Sequence, residues 1–176
     1  NGEDTFGLAL DEAVLKIRGE NGTTVLLSVI KKGKQVPEEG SIVREKINIP
    51  SVTSEMKKGN VAYIRISNFN NKTVNEFDTA IQDVLSKKPK GLILDLRRNP
   101  GGYLDSSVIV ASEWIKEGVV VRERFTDKNI REHKTSGKHR LADLSTVVLV
   151  DEGTASGAEI VAGALQDYGV AKIIGT

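Results

Sequence analysis

An α/β fold with parallel strands is the class this sequence predicts, and three observations predict it. Short apolar, β-branched runs at Val61–Ile66, 91–96 and 147–150 read as strands, the latter two as buried ones. Segments with the periodicity of amphipathic helices separate them. Strands that alternate with helices in this way pair in parallel through crossover connections.

The composition fits that class. A chain of 176 residues suffices for one or two domains. With 39% apolar and 28% charged residues it can bury a core, and with 5% aromatics that core is aliphatic. The 25 basic and 24 acidic residues balance to +1, whereas a nucleic-acid or membrane-surface binder carries a basic excess. Cysteine is absent, which excludes disulfides, thiolate metal sites and a cysteine nucleophile. No residue pattern calls for a metal or a cofactor, and no apolar run has the length of a membrane span.

Taken in order, Asn1-Gly2 reads as a turn and Asp11 as the N-cap of a short helix. Ala13, Val14 and Ile17 share one face of that helix, and Gly19 ends it. Residues 23–30 are β-branched and apolar, a strand. The charged stretch 31–40, with Gly33 and Pro37, marks a module boundary and divides the chain into domains over 1–35 and 36–176. Residues 42–49 read as a half-buried or edge strand closed by Pro50, and 56–60 as a turn. Thr73 caps a helix whose Val74, Phe77, Ile81 and Leu85 form an apolar stripe. The strand at 91–96 runs into a tight glycine turn and then a helix over 104–116 that contains Trp114. A strand at 119–121 precedes a charged, irregular surface excursion over 123–143, in which His133 and His139 are solvated. A turn over 151–155 and a helix over 156–167 follow the strand at 147–150. Asp167 then reads as a helix-end carboxylate, and Lys172 as a solvated residue of the last strand.

The chemistry concentrates in the strand–turn–helix at Asp151-Glu152-Gly153-Thr154-Ala155-Ser156-Gly157-Ala158-Glu159. A side chain there stands at the carboxyl end of a strand, where α/β sheets place their sites. The helix N-terminus offers free N–H groups and a positive dipole end, which is what a tetrahedral oxyanion needs. Ser156 is therefore a candidate nucleophile and the Gly157 N–H a candidate oxyanion donor. The same spacing also fits a capping box, in which Ser156 only caps the helix. Both readings are open on spacing alone.

The run from Thr154 to Gly169 closely resembles the active-site segment of the carboxyl-terminal processing peptidases, also called tail-specific proteases. In that segment the nucleophile is the serine after Thr/Ser-Ala, which is Ser156, while Gly157 stands where the family more often has Ala or Ser. A second run, Asp95-Leu96-Arg97-Arg98-Asn99-Pro100-Gly101-Gly102, resembles the family's Asp-Leu-Arg-x-Asn-x-Gly-Gly. There the resemblance implies that Gly101 and Gly102 lie beside the nucleophile and supply the other oxyanion amide. Residues 1–30 resemble the second half of a PDZ domain, with Asp11, Val14 and Leu15 as candidates for the wall of a peptide groove, or as ordinary helix packing.

The resemblance thus implies a crotonase/ClpP-like protease core with parallel strands, preceded by the carboxyl-terminal half of a PDZ domain. It implies a serine endopeptidase that cleaves polypeptides at a free carboxyl-terminal tail, works outside the cytoplasm, needs no metal or cofactor, and forms homodimers in some members. A serine needs a base, and in the family a lysine, with a glutamine one helical turn later, supplies it. That segment would follow Thr176, so the chain reads as cut at both ends and inactive by itself. The alternatives are a catalytically inactive PDZ-containing scaffold and a crotonase-like enzyme of acyl thioesters. Residues 1–30 argue against the second.

Overall fold

The computed structural model describes every residue except 1, 2, 4, 6, 47, 48, 127 and 128, and leaves the side chains of Leu10 and Asp11 undescribed. The Asn1-Gly2 turn and the groove role of Asp11 lie outside what is described. The chain divides into two compact units, Asn1–Ile49 and Pro50–Thr176.

The first unit holds helix α1 (Leu10–Ile17) and the strands β1 (Thr24–Val29) and β2 (Glu38–Val43). The helix starts one residue before Asp11, with Ala9 in the N-cap position, so Asp11 falls in the first turn. β1 and β2 pair antiparallel along their whole length, from Thr24 opposite Val43 to Val29 opposite Glu38. This pairing draws the second strand forward from the expected 42–49 and places β2 in the first compact unit. The ladder ends at Arg44, whose side chain turns to α1 and donates from Nε to the Ile17 carbonyl at 2.7 Å.

The second unit is built on a five-stranded sheet in the order β3-β4-β5-β8-β9. Its strands are β3 (Val52–Lys57), β4 (Val61–Ile66), β5 (Gly91–Asp95), β8 (Thr146–Val150) and β9 (Ala171–Gly175). β3 is antiparallel to β4, and all other pairs are parallel. The expected parallel α/β sheet is thus present with one antiparallel edge. Its register aligns the buried alternates. Met56 faces Ala62, Ala62 faces Leu92 and Leu92 faces Thr146, while Ile64, Leu94 and Val148 form the next row. The strands at 91–96 and 147–150 read as fully buried, but Ile93, Val147 and Leu149 are only half-buried. One face of the sheet carries the core.

That face packs against helices α2 (Thr73–Ser86), α3 (Leu104–Ala111) and α4 (Gly157–Asp167) through Phe77, Ile81, Val84, Val110, Val161 and Leu165. Trp114 joins them, 1% exposed, with its indole Nε1 donating to Thr146 Oγ1 at 2.9 Å. Full burial of such residues contributes about 1.5–3 kcal/mol each.

Four elements of the second unit differ from the sequence reading. β3 was not expected, because Thr53, Glu55 and Lys57 are exposed and its pairing comes from β4. Thr73 does not cap α2. It is the first helical residue, fully buried, and its Oγ1 accepts the Asn70 N–H at 2.8 Å. α3 stops at Ala111, before Trp114, where the Glu113 and Trp114 N–H groups turn to the Val110 and Ala111 carbonyls three residues back. His139 Nδ1 lies 2.6 Å from the Ser112 carbonyl, and Leu141 N–H donates to the Glu113 carbonyl at 2.8 Å. The charged stretch is a hairpin of β6 (Val119–Thr126) and β7 (Asn129–Lys134), in which polar side chains pair across the strands. Arg122 meets Glu132 at 2.9 Å, and Glu123 meets His133 at 2.7 Å.

Candidate active site

The loops after β5 and β8 meet at the carboxyl edge of the sheet, and Asn99 joins them. Its side chain is fully buried. Nδ2 donates to the Ile66 carbonyl at the end of β4 at 2.9 Å, and Oδ1 accepts the Gly101 N–H at 2.8 Å. Its own carbonyl accepts the Ala155 N–H at 2.9 Å, next to Ser156. Thr154 Oγ1 donates to the Leu96 carbonyl at 2.9 Å. Asp151 Oδ1 accepts the Arg98 N–H at 2.7 Å and the Gly153 N–H at 3.0 Å. The Arg98 N–H foremost, with that of Gly153 and the Thr154 hydroxyl, holds the Asp151 carboxyl below its usual range.

Ser156 stands at the end of this scaffold with φ 51° and ψ −118°, a conformation that L-residues rarely adopt. Holding it costs about 1–3 kcal/mol. Its backbone N–H donates to Glu159 Oε2 at 2.6 Å, which satisfies one arm of the predicted capping box. The hydroxyl makes no cap hydrogen bond, and the residue is exposed. The capping-box geometry expected from the S-x-x-E spacing is present, and the bond that forms it runs from the Ser156 backbone to Glu159.

All three glycines named from the sequence converge here. Gly101 has φ 91°, and a Cβ on it would lie 2.6 Å from Ser156 Cβ and 2.7 Å from Gly157 N. Gly102 has φ 139°, and a Cβ on it would overlap the Phe69 carbonyl. The Cβ position of Gly157 is 3.6 Å from Gly102 N. Their amides differ in availability. The Gly101 N–H is used by Asn99, whereas those of Gly102 and Gly157 donate no hydrogen bond among the described residues.

A second polar cluster lies at the end of β5. Asp95 is 1% exposed by side chain and accepts from Arg97 Nε at 2.9 Å, Arg97 Nη2 at 2.7 Å and the Tyr63 hydroxyl at 2.5 Å. Burial by itself would raise its pKa. The Arg97 guanidinium, the Tyr63 hydroxyl and the Arg97 N–H outweigh burial and hold it at about 2. Burial and the neighbouring carboxylate push the Tyr63 hydroxyl up.

Other sequence candidates stand elsewhere. Neither histidine is fully solvated, since His133 pairs with Glu123 and His139 with the Ser112 carbonyl, and both are half-buried. Lys172 is exposed in β9, and Asp167 is the exposed last residue of α4. In α1, Val14 is half-buried and Leu15 is 69% exposed. No group of His, Cys, Asp or Glu that could hold a metal occurs among the described residues. The bonding roles of Asn99 and Asp151 were not read from the sequence. Both occur in quoted motifs, and their long-range bonds, Asn99 Nδ2 to the Ile66 carbonyl and the Arg98 N–H to Asp151, come from tertiary pairing.

The profile of Peptidase family S41 matches residues 60–176. The chain is 36% identical over 179 residues to the carboxyl-terminal-processing protease of Synechocystis sp., covering 99% of this chain and 42% of the relative. It is 38% identical over 184 residues to the carboxy-terminal-processing protease of Bartonella bacilliformis, covering 100% of this chain and 42% of the relative. Among solved structures, the photosystem II D1 C-terminal processing protease superposes with a TM-score of 0.65 at 27% identity, over 88% of this chain and 44% of that one. The chain thus spans well under half the length of these relatives. The profile match contains both loops that meet at Ser156, and on these grounds the chain belongs to peptidase family S41.

Proposed function

We propose that Ser156 is the nucleophile of a serine endopeptidase that cleaves polypeptides near a carboxyl-terminal tail. One observation carries the reading. Ser156 is held in a strained conformation with its hydroxyl uncapped and exposed, beside the unpaired amides of Gly102 and Gly157. A residue that only capped α4 would have no use for that strain.

In this reading Ser156 Oγ bonds to the scissile carbonyl carbon, and the negative oxygen is held by the Gly102 and Gly157 N–H groups. The carbon–nitrogen bond then breaks, and the proton from Oγ passes to the leaving amine. Water hydrolyses the acyl ester, which frees the new carboxylate and restores Ser156. Gly101 serves by having no side chain, since its N–H is engaged by Asn99. No described lysine or histidine bonds the Ser156 hydroxyl. The proton acceptor is assigned to a lysine outside these residues, as the family resemblance implies. Residues 1–35 are assigned to the carboxyl-terminal half of a PDZ-like domain, and the place of action to the outside of the cytoplasm, both on that resemblance.

The test is steady-state cleavage of a tail peptide by the full-length protein. Ser156→Ala abolishes turnover and leaves tail binding intact. Undiminished turnover by Ser156→Ala contradicts the assignment.

A further inference from the structure

The space behind the two unpaired amides is filled from α3. A Cβ on Gly157 would run into Ser107 Oγ and stand 3.5 Å from Ser107 Cβ. Ser107 is fully buried, and its hydroxyl donates to the Tyr103 carbonyl at 3.2 Å. The same carbonyl accepts the Ser107 N–H, also at 3.2 Å. The hydroxyl therefore occupies the volume that any side chain at 157 would need. If it rotated away to admit a methyl group, it would leave its acceptor and sit buried without a partner. Gly101 also approaches closely, since a Cβ on it would stand 2.7 Å from Gly157 N.

From this we infer that Ser107 is a positioning residue of the oxyanion pocket. Its hydroxyl, fixed on the Tyr103 carbonyl, sets how deeply the Gly157 backbone seats and hence where its N–H points relative to that of Gly102. Glycine at 157 is the consequence of serine at 107. The inference rests on the reading of the Gly157 N–H as an oxyanion donor, and Ser107 acts through that residue without touching substrate.

The test is a double-mutant cycle in the full-length protein, with kcat and KM measured on a tail peptide and Tm measured for every variant. Gly157→Ala lowers kcat about ten-fold or more at nearly unchanged KM, because the amide is displaced in the transition state rather than in substrate binding. Ser107→Ala with Gly157→Ala recovers most of that loss, because the opposing hydroxyl is gone. A purely structural role would move Tm and leave kcat per folded enzyme unchanged. Wild-type kcat in Gly157→Ala, or a double variant no faster than Gly157→Ala, overturns the inference. If Gly157→Ala does not fold, Ser107→Ala alone decides. It lowers kcat about three-fold at unchanged KM by leaving a void behind the amide, and wild-type kcat overturns the inference. Ser156→Ala, assayed in parallel, separates the two claims. Turnover there overturns the nucleophile reading, whereas an inactive Ser156→Ala combined with no rescue overturns only the role of Ser107.

Discussion

The Glu159 carboxylate accepts the backbone N–H of Ser156 at 2.6 Å, and the Ser156 hydroxyl makes no cap bond in return. Glu159 thus holds the backbone that presents the serine. In the full-length protein, Glu159→Ala lowers kcat about ten- to a hundred-fold with KM nearly unchanged, because a small misplacement of a nucleophile is costly. Glu159→Gln keeps an acceptor and stays within about three-fold of wild type. Steady-state kinetics on a tail peptide distinguish the two variants.

The strained φ of 51° at Ser156 carries a signature in stability. Ser156→Gly relieves it, and that variant is more stable to denaturant than Ser156→Ala by about 1 kcal/mol. Equal midpoints for the two would mean that the conformation is not strained.

The strands and helices of the second unit were largely legible, because Ile64, Leu94, Ile81 and Leu165 recur at the period of their elements and all are buried. β3 was not legible. Thr53, Glu55 and Lys57 face water, and only the ladder with β4 makes them a strand. The end of α3 was hidden for a similar reason, since His139 and Leu141 reach the Ser112 and Glu113 carbonyls just beyond it from elsewhere in the chain. At the site, two motifs far apart in sequence pointed to Ser156 and the glycines. Which amide stays free depends on Asn99 Oδ1, which takes the Gly101 N–H two residues on and is itself fixed by the long-range bond of Nδ2 to the Ile66 carbonyl.

Asp95 makes stability depend on pH. Its folded pKa of about 2 lies below the ordinary 3.8, so its contribution is present above pH about 4 and is lost as pH falls toward 2. Arg97 is half exposed, and with that screening the contribution is about 1–2 kcal/mol. Asp95→Asn loses it at pH 7 and shows a flatter stability curve between pH 4 and 2. Denaturant unfolding at several pH values checks this.

Trp114 is the largest fully buried side chain, and its indole N–H bonds Thr146 Oγ1 at 2.9 Å. Trp114→Phe removes that bond and leaves a void, which costs about 1–3 kcal/mol in denaturant unfolding. Activity per folded molecule stays near wild type, because Trp114 lies in the core rather than in the loops at Ser156.

Capture of the acyl-enzyme tests the central claim most directly. Full-length protein is mixed with a tail peptide, quenched in acid within a single turnover and analysed by intact and peptide mass spectrometry. The predicted result is a mass gain equal to the amino-terminal part of the substrate, located on Ser156 and absent from Ser156→Ala. Turnover with the adduct on a different residue, or undiminished turnover in Ser156→Ala, would contradict it.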